Sequence, residues 1–249
     1  MKKLLFLLLF SIVCIPSIVS SDSDNMNLSP MEVYQENYFI IGNKEDYAKF
    51  QFSAKYAFLK RYDTGVFVSY TQISFWDVYS NSSPFVETNY SPSFFIKSKY
   101  FWPEYFDYMQ IGLYEHISNG EQKDKSRSVD RGYLQLQWSI GERINFGINA
   151  KGYLYYYQAP ENKNYGKYTL YYEAKIFLSL ENAEEESSKD EIYVKFRGGE
   201  KGYQEYGIIT RKLAWMNPRL YIQFTNGYTT SLLNYEEKER SLRIGLIFK

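Results

Sequence analysis

The stretch Arg143-Ile144-Asn145-Phe146-Gly147-Ile148-Asn149-Ala150-Lys151-Gly152-Tyr153-Leu154-Tyr155-Tyr156 changes character at nearly every residue. Ile144, Phe146, Ile148, Ala150, Gly152, Leu154 and Tyr156 share one parity; Arg143, Asn145, Gly147, Asn149, Lys151, Tyr153 and Tyr155 share the other. Successive side chains of a β-strand point to opposite faces, so this run predicts a strand with one apolar and one wet face. Its length decides the class, because a strand crossing a bilayer at a tilt needs roughly 9 to 11 residues, whereas strands of soluble proteins run to about 5 or 6. An all-β fold, an antiparallel transmembrane β-barrel, is the expectation.

The pattern recurs on both sides. Tyr168, Leu170, Tyr172, Ala174, Ile176, Leu178 and Leu180 alternate with Lys167, Thr169, Glu173, Lys175 and Ser179; Phe50, Phe52, Ala54, Tyr56 and Phe58 alternate with Lys49, Gln51, Ser53 and Lys55. Leu242, Ile244, Leu246 and Phe248 give an apolar face to the last run. A short first strand falls at 36–41, after an extended leader over 22–33, and others near 65–76, 89–100, 105–118, 131–140, 191–198, 203–214, 218–230 and 240–248. The total is about twelve. Gly141-Glu142 reads as a tight turn, and 120–129 and 182–190 as long charged loops, the asymmetry usual for outer-membrane barrels.

Composition agrees. Aromatic residues make up 20% of the chain, with 27 Tyr, at a mean hydropathy of -0.46, and no apolar helix-length run follows the amino-terminal one. Met1-Lys2-Lys3, the apolar run Leu4 to Val19 and Ser20-Ser21 read as a signal peptide over residues 1–21, leaving 22–249 as the barrel domain. The lone cysteine, Cys14, lies inside that segment, so no disulfide scaffold or cysteine-rich zinc site is expected in the mature chain. A single histidine excludes a multi-histidine metal site. With 29 basic and 29 acidic residues and no basic block, nucleic acid is not an expected partner.

That one histidine stands in His116-Ile117-Ser118-Asn119-Gly120. On a strand, His116 and Ser118 share a face within leaning distance, as a base and a nucleophile must, and Asp130 is the nearest candidate to orient the imidazole. Asp130 has the parity of Gly132, Leu134, Leu136, Trp138 and Ile140, the apolar face of the next strand. His116 and Ser118 share the parity of Phe106, Tyr108, Gly112 and Tyr114. These strand ends would face outward, toward a lipid substrate. The competing possibility is a non-enzymatic barrel, a small channel or surface protein, in which the three residues are incidental.

Tyr70-Thr71-Gln72 with Trp76, Ser82-Ser83-Pro84-Phe85 before Glu87-Thr88-Asn89-Tyr90, His116-x-Ser118-Asn119-Gly120, and Ser126-Arg127-Ser128 with Arg131 occur in that order. With these four blocks the chain resembles the outer-membrane phospholipase A family over most of its mature length. The resemblance implies a twelve-stranded barrel in the bacterial outer membrane. It further implies a homodimer that uses calcium (Ca2+) to hydrolyse acyl esters of phospholipids and lysophospholipids at an outward-facing Ser-His-Asn triad. Carried over by position, Ser118 is the nucleophile, His116 the base, and Asp130 stands where that family has asparagine. The Gly120 N–H helps hold the oxyanion, and Gln72 lies in the dimer interface. Calcium ligands map to the Glu121 carbonyl, the Ser126 hydroxyl and the carbonyl of Ser82 of the partner subunit. Glu121 replaces the family's arginine, and Val129 its tryptophan.

Overall fold

A computed structural model describes residues 31–169, 171–182, 185–198, 201–212 and 218–248. The expected signal peptide and the start of the leader lie outside them. The strands are β1 (Met31–Val33), β2 (Asn37–Ile41), β3 (Ala48–Arg61), β4 (Thr64–Trp76), β5 (Phe85–Ser98), β6 (Tyr108–Ser118), β7 (Ser128–Ile140), β8 (Ile144–Gln158), β9 (Tyr172–Asn182), β10 (Glu185–Arg197), β11 (Tyr203–Lys212), β12 (Arg219–Gly227) and β13 (Glu239–Phe248). Each pairs antiparallel with its neighbours, and β13 closes on β2 through pairs such as Leu246 with Phe39.

β1 and β2 both pair with β3, Val33 opposite Ala54 and Tyr38 opposite Gln51. They are two pieces of one interrupted stave, so thirteen segments make the twelve-stranded closed barrel. The interruption sends Tyr34 inward, where its hydroxyl meets the Tyr133 hydroxyl at 3.1 Å and accepts from Gln110 at 2.7 Å.

The burial pattern is inverted relative to a soluble protein. Phe52, Phe58, Leu134, Ile140, Ile144, Leu154, Leu242 and Ile244 are exposed, while Lys49, Gln51, Ser53, Glu115, Lys151, Glu205 and Arg243 are buried. An apolar skin around a polar lumen is the arrangement a bilayer selects. Buried charges must be paired, and Lys195 lies 3.4 Å from Glu205, which also accepts from Tyr193 at 2.7 Å.

Three features depart from the sequence expectation. Tyr168 is not on β9: it belongs to the short helix α1 (Tyr165–Thr169), which turns into the barrel mouth. There Tyr165 and Tyr168 pack with Val129, Leu232 and Tyr235 as a plug, and burial pushes the Tyr165 phenol up to about 12. The span 182–190 is mostly the β9–β10 hairpin rather than a long loop, and the long connections 119–127, 159–171 and 228–238 share the other rim. Finally, β6 is bulged between Gly112 and Glu115. Tyr108 and Gln110 therefore point into the lumen, bonding Asn149 and Tyr133, and the parity shared with His116 and Ser118 does not extend through the bulge.

Candidate active site

The last four residues of β6 run beside the first four of β7, so His116 stands opposite Asp130 and Ser118 opposite Ser128. Glu115 and Val129, one position away on each strand, are buried in the lumen, which leaves His116, Ser118 and Asp130 on the outer face. His116 Nδ1 lies 2.6 Å from Asp130 Oδ1, with the imidazole 35% and the carboxylate 24% exposed. An ionised carboxylate only accepts, so this contact places a proton on Nδ1 and leaves Nε2 as the nitrogen able to take one. The Tyr114 phenol also stands beside the Asp130 carboxylate.

Ser118 lies two residues from His116 on the same face. Among the described residues no protein group hydrogen-bonds its hydroxyl, so the structure brings His116 to Asp130 but shows no bond from His116 to Ser118. On its other side β5 places Tyr90 directly opposite. The Tyr90 ring lies against Gly120, where a side-chain carbon would come within 3.1 Å of it. Gly120 has φ +67, a left-handed conformation that glycine adopts without a steric penalty. Its N–H donates to no protein group among the described residues, so it is free to hold an anion beside Ser118.

Buried Asn119 shapes the loop that follows. Its side chain donates to the Lys125 carbonyl at 2.8 Å and accepts from the Arg127 N–H at 2.9 Å and the Glu121 N–H at 3.3 Å. Arg127 donates to the carbonyls of Asp124 and Ser126, Ser126 N–H to Lys123, and Lys125 N–H to Gln122. Of the carbonyls from 121 to 126, the Glu121 oxygen is the one these bonds leave unused, and the Ser126 hydroxyl is likewise unengaged. Two hard oxygen donors on one pinned loop are of the kind calcium takes. Ser82 is exposed on a different connection of the same rim, 77–84. Asp77 orders that connection by accepting from the Ser80 hydroxyl and from the N–H groups of Tyr79 and Ser80; the hydroxyl bond first, and then the N–H bonds, hold its carboxyl below the ordinary value. No cluster of three His, Cys, Asp or Glu occurs among the described residues.

Gln72 faces outward on β4, opposite Tyr90 on β5 and Phe52 on β3. Its amide accepts from Tyr70 at 2.9 Å and donates to Ser74 at 3.2 Å, a polar line across an apolar skin.

Tyr114 beside the outer-face residues, and the lumen pair Glu115 and Arg131 directly behind them, have no role in the sequence pattern alone. Opposite charges flanking His116 and Asp130 were the available signal. It could be used only once the two strands were known to pair there.

A closed barrel with an apolar skin, a polar plugged lumen and a His–Asp pair on its outer face defines a protein of the outer-membrane barrel class. The comparisons specify it further. The family model for phospholipase A1 matches residues 7–248, and the chain belongs to that family. Phospholipase A1 of Escherichia coli strain K12 is 30% identical over 189 residues, 72% of this chain and 60% of that relative's length. The structure of outer membrane phospholipase A from Escherichia coli matches with a TM-score of 0.74 at 26% identity, covering 88% of this chain and 98% of that one. That of the Salmonella typhi outer membrane phospholipase, a dimer with bound calcium, matches with a TM-score of 0.72 at 26% identity, covering 90% and 94%.

Proposed function

We propose that this chain is a calcium-dependent phospholipase of the bacterial outer membrane, acting on the acyl esters of phospholipids and lysophospholipids as a homodimer. Residues 1–21 act as its signal peptide and 22–249 as its single barrel domain. The observation that carries the reading is the 2.6 Å contact of His116 with Asp130 on the outer, apolar face, two residues from Ser118. A lumen-facing triad would meet solutes; an outward one meets lipid.

In the proposed reaction Ser118 Oγ attacks the ester carbonyl while His116 Nε2 takes its proton, and Asp130 stabilises the imidazolium that forms. The Gly120 N–H donates to the oxyanion. Collapse breaks the acyl C–O bond, and His116 returns the proton to the departing lysolipid or glycerol oxygen. Water, deprotonated by His116, then releases the fatty acid from Ser118. The Glu121 carbonyl, the Ser126 hydroxyl and the carbonyl of the partner subunit's Ser82 would hold calcium. When bound, the ion supplies positive charge near the oxyanion. Gln72, on the same outward surface, supplies a hydrogen-bonding group for the second copy.

The channel alternative finds little support in the plug of Tyr165, Tyr168, Leu232 and Tyr235, which fills one mouth, or in Glu87, which anchors it by accepting from Leu233 N–H at 2.7 Å. The test is fatty acid release from detergent-dispersed phospholipid with calcium, comparing the native chain with Ser118→Ala and His116→Ala. Each variant is expected to lose nearly all turnover while the barrel persists, because nucleophile and base act as a unit. Substantial turnover in either folded variant overturns the assignment.

A further inference from the structure

Before its bulge, β6 pairs Gly112 with Tyr133 on β7; after it, Glu115 pairs with Arg131. One residue of β6 is extra. Had the earlier register continued, His116 would stand opposite Val129 and point into the lumen, while Glu115 would stand opposite Asp130. A one-residue slip in a sheet moves every side chain to the other face, so the bulge decides whether His116 meets Asp130 at all.

The interactions that favour the shifted register lie mostly behind the site. Glu115, one residue before His116, is buried, and Arg131, one residue after Asp130, is buried opposite it. Arg131 Nε donates to Glu115 Oε2 at 2.6 Å. Lys151 Nζ lies 3.7 Å from the other carboxylate oxygen, and the Arg131 guanidinium stacks 3.8 Å over the Tyr153 ring. In the slipped register the same carboxylate would face Asp130, a like charge. On the outer face, the Tyr156 hydroxyl donates across Gly132 to the Leu113 carbonyl within the bulge at 3.3 Å. A side-chain carbon on Gly132 would lie 2.2 Å from that hydroxyl, so the clasp requires glycine there.

We infer that the Glu115–Arg131 ion pair is a positioning device, selecting the strand register in which His116 and Asp130 meet on the lipid-facing side. Its consequence for catalysis rests on the triad proposed above; its consequence for geometry does not.

The chain's only histidine makes the geometry directly readable, since ¹⁵N-labelled histidine gives a single imidazole spectrum. The principal variant combines Glu115→Gln with Arg131→Met, so that neither member of the pair is left buried opposite a removed partner, while Lys151 still stands opposite Glu173 on β9. Expected are a barrel that still migrates as folded on unheated gels, kcat reduced about tenfold or more with KM within about twofold, and loss of the Nδ1–H signature in favour of mixed tautomers. Arg131→Lys, which keeps a cation beside Glu115, should retain the signature and most of the turnover. A folded double variant with the native imidazole spectrum and kcat overturns the inference, as does a rise in KM alone. If the double variant does not fold, Glu115→Gln carries the test, and an unchanged imidazole spectrum in that folded variant overturns it. A native chain that releases no fatty acid refutes the triad, and the imidazole spectra still decide the positioning role.

Discussion

Replacing Asp130 separates two contributions that the 2.6 Å contact combines, orientation of the ring and stabilisation of its charge. In the proposed reaction, proton transfer from Ser118 to His116 would form a cation beside an anion with charge centres about 4 Å apart, which at an effective dielectric of about 20 is worth about 4 kcal/mol. With the carboxylate 24% and the imidazole 35% exposed, solvent screens part of this. About 2 to 3 kcal/mol should remain, or roughly 30- to 160-fold in rate. Asp130→Ala removes both contributions and should lower kcat further, by about 10³-fold or more. Asp130→Asn keeps an oxygen in place to accept from Nδ1–H and forfeits only the charge contribution, so its kcat should fall by no more than that factor, roughly 30- to 160-fold, provided the amide is held oxygen-first. In a serine protease the same change is severe because the amide can favour the wrong tautomer. Here the family resemblance implies that this barrel site accepts asparagine. The assay is single-turnover fatty acid release with calcium, beside Ser118→Ala. An Asn variant as inactive as Ser118→Ala refutes the tolerance of an amide, and a fully active Ala variant removes Asp130 from the triad.

Gly120→Ala should lower kcat by about tenfold with little change in barrel stability, since left-handed backbone costs a non-glycine residue about 1 kcal/mol and the new carbon meets Tyr90 at 3.1 Å. Unchanged kcat would show that the left-handed turn and its clearance from Tyr90 do not set the geometry of the reacting groups. A calcium chelator should cut activity and loosen self-association together, measured by sedimentation in detergent, because a ligand bound only by the dimer stabilises it. Gln72→Ala should weaken the same association. A fully active monomer in excess chelator rules out the two-chain calcium site.

The barrel was legible because its patterning is unusually regular. Residues 143–156 alternate for the length of a bilayer-crossing strand, and β8 presents them in that order, Ile144, Phe146, Ile148, Leu154 and Tyr156 outward. Irregularities were not legible, because a bulge demands an extra residue rather than a residue type. Nothing in Gly112-Leu113-Tyr114-Glu115 announces the shift in β6, and nothing in Tyr34-Gln35-Glu36 announces the break in the first stave. At Tyr168 the alternation continued by chance into a segment that turns inward as helix. The outer-face site was legible for a different reason, since one histidine in 249 residues leaves no competing base. The facing of Asp130 could be taken from β7, which keeps one register against β6 from Ser128 to Arg131. The facing of His116 could not be settled from parity, because the bulge lies between it and the rest of β6.

The placement of the proposed triad near a rim follows from the cost of charge on a lipid-facing surface. Under the proposed outer-membrane placement, a charged residue on that face costs about 2 to 4 kcal/mol at mid-depth for a basic side chain and roughly 0 to 1 near the interface. His116 is two residues from the end of β6 and Asp130 two from the start of β7, about 7 Å of strand at a rise of about 3.3 Å per residue. In the proposed reaction the imidazolium would therefore arise near the interface, where Asp130 would neutralise it. The acyl ester of a phospholipid lies at that same depth, between headgroup and chains. A triad placed deeper would carry a larger charging cost and meet only hydrocarbon, whereas one placed on the loops would lose the strand pairing that sets His116 opposite Asp130. The last residues of two paired strands satisfy both conditions.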